Sequence, residues 1–95
     1  MNTYNAAIKI KNYLTKRWAK DIANRGNDAP RVFSKSKLER TGMRDYTGGD
    51  GSAIIWEGFY EWTKSSEIKK METILKGTNL TVFPTSEWLI EILEN

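Results

Sequence analysis

Apolar residues recur at helical spacing through the first quarter of the chain. They fall three and four positions apart, at Ala6, Ala7, Ile10, Tyr13, Leu14 and Trp18. This spacing predicts a single helix over residues 4–23, with Trp18 in its buried stripe. Gly26 and Asn27, with Pro30 behind them, are expected to end the helix, because glycine tolerates a positive φ and proline cannot continue the helical hydrogen bonds.

The middle of the chain has no long periodic pattern. Residues 31–52 are expected to be mostly irregular, with a short strand near Val32–Phe33, because glycines interrupt the second half of this segment. Residues 53–62 follow as an apolar and aromatic run, which favours a strand with a bulge at Gly58. A helix with Ile55, Phe59 and Trp62 on one side is the alternative.

The last third of the chain predicts a helix and a hairpin. Ser65 or Ser66 can cap a helix that ends at Gly77, and the apolar positions between them repeat at helical spacing. Residues 80–83 follow as a short strand and residues 84–86 as a turn. Residues 87–94 fit a helix or a strand, and we favour the strand because the strand at 53–62 needs a partner.

These elements predict a small α+β fold. A long N-terminal helix comes first, and a small antiparallel sheet carries the second helix on one face. The 95 residues are expected to form one domain, since a chain of this length can bury a single core without a metal or a disulfide.

Positive charge is concentrated in the first half of the chain. Residues 1–46 hold 11 lysines and arginines against 4 acidic residues, whereas residues 47–95 hold 4 against 8. The two halves therefore carry net charges of +7 and −4, which together make the formal charge of +3. A basic half of this kind attracts polyanions.

Residues 31–44 are the most basic stretch and have aromatic side chains within or beside them. Nucleic-acid binding needs cations that neutralise phosphates and rings that stack on unpaired bases, and Phe33 and Tyr46 are the candidate rings. The candidate phosphate contacts are Arg31, Lys35, Lys37, Arg40 and Arg44, together with Lys16 and Lys20 of the first helix. A solvated basic loop with a structural Phe33 is the alternative.

A second cluster is aromatic and consists of Trp56, Phe59, Tyr60 and Trp62. In a strand these side chains divide between two faces, of which one belongs to the core. If the other face is uncovered, it is a contact surface, and a homodimer is the simplest assembly that buries it. The alternative is that helices cover both faces.

The chain contains no cysteine and no histidine. Disulfides, zinc sites of the usual nitrogen and sulfur kind, and thiol or imidazole catalysis are therefore excluded. The glycine-rich segment 47–52 could cradle a phosphate, but it has no lysine and leads into a strand instead of a helix. The carboxylates of Asp45, Asp50, Glu57 and Glu61 could do acid and base chemistry or bind magnesium, but their spacing does not match an EF-hand loop.

The residues favour a non-enzymatic binding protein whose basic half contacts nucleic acid or another acidic partner, with no cofactor. An interaction or assembly subunit that uses the aromatic strand is the alternative, and an enzyme that uses the carboxylates is a third hypothesis. No run of 18 apolar residues and no signal-peptide pattern occurs, so we expect a cytoplasmic protein that does not contact membranes.

Overall fold

The computed structural model of the protein describes residues 1–25, 29–58 and 60–95. The elements formed by these residues are, in chain order, α1 Thr3–Arg17, α2 Ala19–Asn24, β1 Arg31–Phe33, α3 Lys35–Arg40, a 3₁₀ helix Met43–Tyr46, β2 Ser52–Ile55, α4 Ser65–Ile74, β3 Leu80–Ser86 and β4 Leu89–Glu94. The predicted α+β class, with a long N-terminal helix and an antiparallel sheet, is confirmed. The helix end predicted at Gly26 and Asn27 lies outside the described residues.

The strands form one antiparallel sheet in the order β1-β2-β4-β3. Ile54 pairs with Val32 on β1 and with Ile90 on β4, whereas its neighbour Ala53 pairs with Glu91. Successive residues of a strand point to opposite faces, so these two rows belong to different faces. We call the face with Ile54 and Ile90 the large-core face, and the face with Ala53 and Glu91 the small-core face.

The large-core face is covered by α1, α2 and α4. Its buried side chains are Ala6, Ala7, Ile10, Leu14, Ile22, Ile54, Trp56, Tyr60, Trp62, Ile68, Met71, Leu75, Leu80, Val82, Ile90 and Ile92. Each large apolar side chain that is fully buried contributes roughly 1.5–3 kcal/mol, so this cluster is the main source of the protein's stability.

The small-core face is covered by α3 and the 3₁₀ helix. Its cluster is much smaller and holds Phe33, Leu38, Ala53, Ile55 and Leu89, with Met43 and Trp88 packed against it and partly exposed. Ser34 caps α3 by accepting the backbone N–H of Lys37 at 3.2 Å. This short helix therefore begins directly after β1 and holds Leu38 over the sheet.

The N-terminal helix is interrupted at Trp18, so the prediction of one continuous helix over residues 4–23 is wrong at that point. Trp18 has φ −105° and ψ 21°, so it ends α1, and α2 begins at the next residue. The apolar stripe itself is confirmed. The Trp18 side chain is half-buried against the large core, with its ring centroid 6.3 Å from that of Trp62.

The strand predicted over residues 53–62 is wrong beyond Ile55, where β2 ends. Gly58 has φ +101°, a conformation that glycine adopts without strain, and none of the described residues between Ile55 and Trp62 belongs to a strand. The chain turns here, and Tyr60 and Trp62 fold into the large core. The glycine that was expected to mark a bulge within a strand instead lies in a bend after the strand has ended.

Three further local predictions need correction, and one is confirmed. The turn predicted at residues 84–86 is wrong, because this segment pairs with β4 and β3 continues to Ser86. Residues 31–52 are not mostly irregular, because they contain α3 and the 3₁₀ helix. Helix α4 takes its N-cap from Lys64, so Ser65 is already helical. The strand preferred for the C-terminal segment is confirmed as β4, which forms a hairpin with β3 around a turn at residues 87–88.

Within the described residues, no helix combines the length and the apolar character that crossing a membrane requires.

Candidate functional site

A groove opens on the small-core face, where β1 begins and β2 ends. Its volume is about 590 Å³, which lies in the range of small-molecule pockets. The lining residues come from β1, the 3₁₀ helix, the end of β2 with the segment after it, and the turn of the hairpin: Phe33, Met43, Tyr46, Ile55, Trp56 and Trp88, with Arg31 and Glu57 as the charged members. The Trp56 ring itself is buried in the large core. Four separate segments of the chain therefore build one apolar groove with charge beside it.

Two aromatic rings form a corner in this groove. The ring centroids of Tyr46 and Trp88 are 5.5 Å apart, and the ring planes meet at 70°. Tyr46 is 58% exposed and Trp88 is half-buried, so the corner is open to solvent. Such an arrangement can hold a flat ligand ring against the face of one side chain and the edge of the other.

Phe33 does not offer a free ring face, although it lines the groove. It is buried in the small core, and Lys37 Nζ lies 4.5 Å from its ring centroid. The guanidinium carbon of Arg31 lies 5.9 Å from the same centroid. Both distances allow a cation–π contact, so Phe33 helps to position two of the predicted cations beside the groove.

Arg31 and Glu57 form a loose ion pair beside the groove. Arg31 Nη2 lies 4.0 Å from Glu57 Oε1, and the two side chains are 59% and 79% exposed. An exposed pair at this distance contributes between nothing and about 1 kcal/mol, so a ligand can separate it at little cost. Both groups are therefore able to bind a molecule in the groove.

Other predicted cations lie on α3. Arg40 is exposed at the end of the helix. Lys35 Nζ is 3.8 Å from Asp50 Oδ1, and both of these side chains are largely exposed. The structure thus places Arg31 and Lys37 beside the groove, whereas Lys35 lies toward the other end of β2, near Ser52 and Glu94.

The side chain of Arg44, by contrast, makes hydrogen bonds within the protein. Its guanidinium donates hydrogen bonds to the carbonyl oxygens of Gly49 at 2.9 Å and Gly51 at 3.2 Å, and to Thr47 Oγ1 at 3.2 Å. These contacts hold the glycine-rich loop in place. We therefore leave Arg44 out of the contact surface that the sequence predicted.

Lys16 and Lys20 lie on α1 and α2, which pack on the large-core face of the sheet. The groove belongs to the opposite face. Both lysines are exposed, but the fold does not bring them together with the cations of residues 31–40.

A buried carboxylate that sequence reasoning missed holds the loop before β2. Glu91 is 1% exposed, and its side chain accepts the backbone N–H groups of Gly48 at 3.0 Å and Gly49 at 2.9 Å, as well as the hydroxyl of Thr85. At Gly51 the loop lies so close to β4 that a Cβ would overlap the carbonyl oxygen of Ile92. The glycine-rich segment does cradle an anion, but that anion is the protein's own carboxylate.

The predicted aromatic contact surface is not found among the described residues. Trp56, Tyr60 and Trp62 are at most 5% exposed, and the rings of Tyr60 and Trp62 stack at 4.3 Å with 11° between their planes. Phe59 lies outside the described residues. Because these three side chains form part of the large core, the self-association inferred from them stays a prediction without an exposed aromatic strand to support it.

The carboxylates considered for acid and base chemistry do not converge. Asp50 pairs with Lys35, Glu57 with Arg31, and Glu61 with Lys64 at 2.9 Å. The hydrogen bond from Lys64 lowers the pKa of Glu61, which keeps this exposed carboxylate ionised. In the part of the chain that the structure describes, no three acidic side chains are grouped as metal ligands.

A second buried carboxylate joins α1 to α4. Glu67 is 3% exposed, accepts hydrogen bonds from the Tyr13 hydroxyl and Arg17 Nε at 3.3 Å each, and lies 3.5 Å from Lys70 Nζ. Burial, together with the negative charge of Glu67, raises the pKa of Tyr13. Every one of these contacts is internal, so the cluster has a structural role on the large-core side.

The chain matches no protein-family model, no curated protein and no solved structure.

Proposed function

We propose that this protein is a non-enzymatic module that binds single-stranded nucleic acid in the groove of the small-core face. The observation that carries the proposal is the open corner of Tyr46 and Trp88 with Arg31 and Lys37 beside it. Aromatic faces next to cations are the combination that holds a base and its phosphate together. The lining offers binding contacts without a converging pair of acid and base groups.

The shape of the groove favours a single strand over a duplex. A base can reach the Tyr46–Trp88 corner only if it has left its own stack, which costs little in a single strand and several kcal/mol in a duplex. The groove of about 590 Å³ suits one base with its sugar, whereas a duplex needs an extended basic surface or an element that enters a groove of the nucleic acid.

Charge supports the same partner. Residues 1–46 carry a net charge of +7, and the exposed cations of β1 and α3 belong to this segment. A single strand whose base lies in the groove can pass its phosphates along Arg31, Lys37 and Arg40. Because Arg44 is occupied by loop carbonyls, the expected number of phosphate contacts is smaller than the sequence suggested.

The proposal is tested by fluorescence anisotropy with a labelled single-stranded DNA of about ten nucleotides, within the usual site size of a small binding domain. We expect binding at low salt with a log-log salt slope of about −0.7 for each phosphate contacted. Tyr46→Ala and Trp88→Ala should each weaken binding by about tenfold, because base stacking contributes roughly 1–3 kcal/mol.

Matched lysine variants locate the binding face. Lys37→Gln, on α3, should weaken binding and flatten the salt slope by about one phosphate contact. Lys20→Gln removes the same charge on the large-core side and should change neither. Absence of binding at low salt, or equal effects of the two variants, contradicts the proposal.

A further inference from the structure

Resting on the proposed function, we propose that the groove selects guanine and that Glu57 reads the base. Glu57 is the carboxylate in the groove lining, and its side chain is 79% exposed. A carboxylate beside a phosphate site repels the phosphate, so its place in a nucleic-acid groove needs a partner that donates hydrogen bonds. The donor edge of a base is such a partner.

Two other carboxylates, Glu91 and Glu61, are committed elsewhere. Glu91 accepts hydrogen bonds from loop amides and is buried, and Glu61 is held by Lys64 at 2.9 Å. Among the residues that the structure describes, Glu57 has only the loose ion pair with Arg31 at 4.0 Å. When a nucleotide enters the groove, Arg31 can turn to its phosphate while Glu57 keeps both oxygens for the base.

The chemistry of the bases decides which one fits. An ionised carboxylate only accepts hydrogen bonds, and it offers two oxygens side by side. Guanine presents two donors side by side, its ring N1–H and its exocyclic amino group. Adenine and cytosine place an acceptor nitrogen beside their amino group, and uracil or thymine places carbonyls on both sides of its single N–H. Each of these three pairings sets an acceptor against a carboxylate oxygen, which is repulsive.

The geometry of the groove supports this assignment. Tyr46 and Trp88 hold a planar base from one side, while Glu57 lies in the segment that follows β2 and lines the same groove. A base stacked in the corner can therefore point its Watson–Crick edge toward Glu57 and its sugar and phosphate toward the cations. Specificity and affinity then come from different side chains.

The test uses single-stranded deoxycytidine pentamers whose central residue is deoxyguanosine, deoxyinosine, deoxyadenosine, thymidine or deoxycytidine. In competition experiments measured by anisotropy, the guanine pentamer should bind about tenfold more tightly than the adenine, thymine and cytosine pentamers. A bidentate pair of hydrogen bonds disfavours the wrong base by roughly 1–3 kcal/mol. Inosine keeps the ring N–H and lacks the amino group, so its pentamer should bind more weakly than the guanine pentamer.

Two variants isolate the carboxylate. Glu57→Gln should abolish the guanine preference and leave binding of the cytosine pentamer equal or stronger, because a repulsive charge is gone. Glu87→Gln removes the same charge from an exposed residue of the neighbouring turn, outside the groove lining, and should keep the preference.

The experiment distinguishes failure of the guanine assignment from failure of the proposed function. Equal binding of all pentamers, inosine binding as tightly as guanine, or a preference that survives Glu57→Gln overturns the guanine assignment while single-strand binding stands. Absence of binding by every pentamer at low salt overturns the assignment and the proposed function together.

Discussion

The two faces of the sheet differ in how completely they are covered and in what covers them. On the large-core face, α1, α2 and α4 bury an extensive apolar cluster. On the small-core face, a short helix and a 3₁₀ helix cover five buried side chains, and Met43 and Trp88 stay partly exposed at the margin. One sheet thus has one closed face and one face that ends in an open aromatic groove.

Because of this difference, a chain of 95 residues has both a stable core and an open aromatic groove. Most of the apolar burial lies on one side, so the other side does not need every aromatic residue for stability. Hydrogen bonds made by polar side chains stabilise the small-core side instead. Glu91 accepts hydrogen bonds from amides of the glycine-rich loop, and Arg44 donates hydrogen bonds to carbonyl oxygens of the same loop. These hydrogen bonds anchor the backbone before β2 without filling the groove.

The sharpest contrast is between an aromatic residue of each face. Trp62→Ala should destabilise the protein by about 3–5 kcal/mol, because its ring is fully buried among Trp18, Trp56 and Tyr60. Tyr46→Ala should change the stability by no more than about 0.5 kcal/mol, because the ring is 58% exposed. Urea denaturation followed by circular dichroism measures the loss in the free energy of unfolding for both variants. Similar losses would show that the large-core face does not supply more of the stability than the groove side.

The next effect concerns the polar anchor of the small-core side. Glu91→Ala leaves the amides of Gly48 and Gly49 without their acceptor and should cost about 1.5–3 kcal/mol in the free energy of unfolding. Amide hydrogen exchange at these two glycines should speed up at the same time. Glu94→Ala, on the exposed end of the same strand, is the control and should alter neither quantity. Unchanged exchange at the loop would contradict the anchoring role.

The smallest effect is a pH dependence on the large-core side. Because the pKa of Tyr13 is raised in the folded protein, the native state holds this proton at a pH where the unfolded chain has lost it. That contribution to stability is fully present below the ordinary tyrosine pKa of about 10 and is lost as the pH rises through the folded value.

The measurement is the loss in the free energy of unfolding between about pH 8 and about pH 11, a range that includes the ordinary tyrosine pKa. It should be smaller in Tyr13→Phe than in the unaltered protein. Glu67→Gln should bring the pKa of Tyr13 back toward its ordinary value, since the neighbouring negative charge is then absent. An identical alkaline loss in Tyr13→Phe would show that Tyr13 contributes no pH dependence.

Local patterns were enough to predict the elements whose side chains repeat regularly. The stripe from Ala6 to Trp18 follows one period, and that prediction is confirmed apart from the break at Trp18. The C-terminal strand fits two periods, was favoured because the strand at 53–62 needs a partner, and is confirmed as β4. Helix α3 was missed because it has only six residues and one buried side chain, Leu38. So short a segment shows no periodicity, and its strongest signal was the capping serine at position 34.

The candidate site was only partly predictable, because its parts meet through long-range contacts. The sequence of residues 31–46 predicted Arg31, Lys37 and Tyr46 as site residues. It did not predict Trp88, which reaches the groove from the hairpin turn. Arg44 was assigned to the surface because its loop acceptors have no sequence signature. Glu91 lies 42 and 43 positions from the amides that it binds, and its only local signal is a glutamate within an apolar strand.

The central claim is that the groove side of the sheet binds single-stranded nucleic acid. The most direct test is amide NMR of the labelled protein, titrated at low salt with the guanine-containing pentamer. We expect chemical-shift changes at Arg31, Lys37, Tyr46 and the indole N–H of Trp88, with α1 and α4 unaffected. Changes centred on Lys16 and Lys20, or no changes at saturating pentamer, would contradict the account.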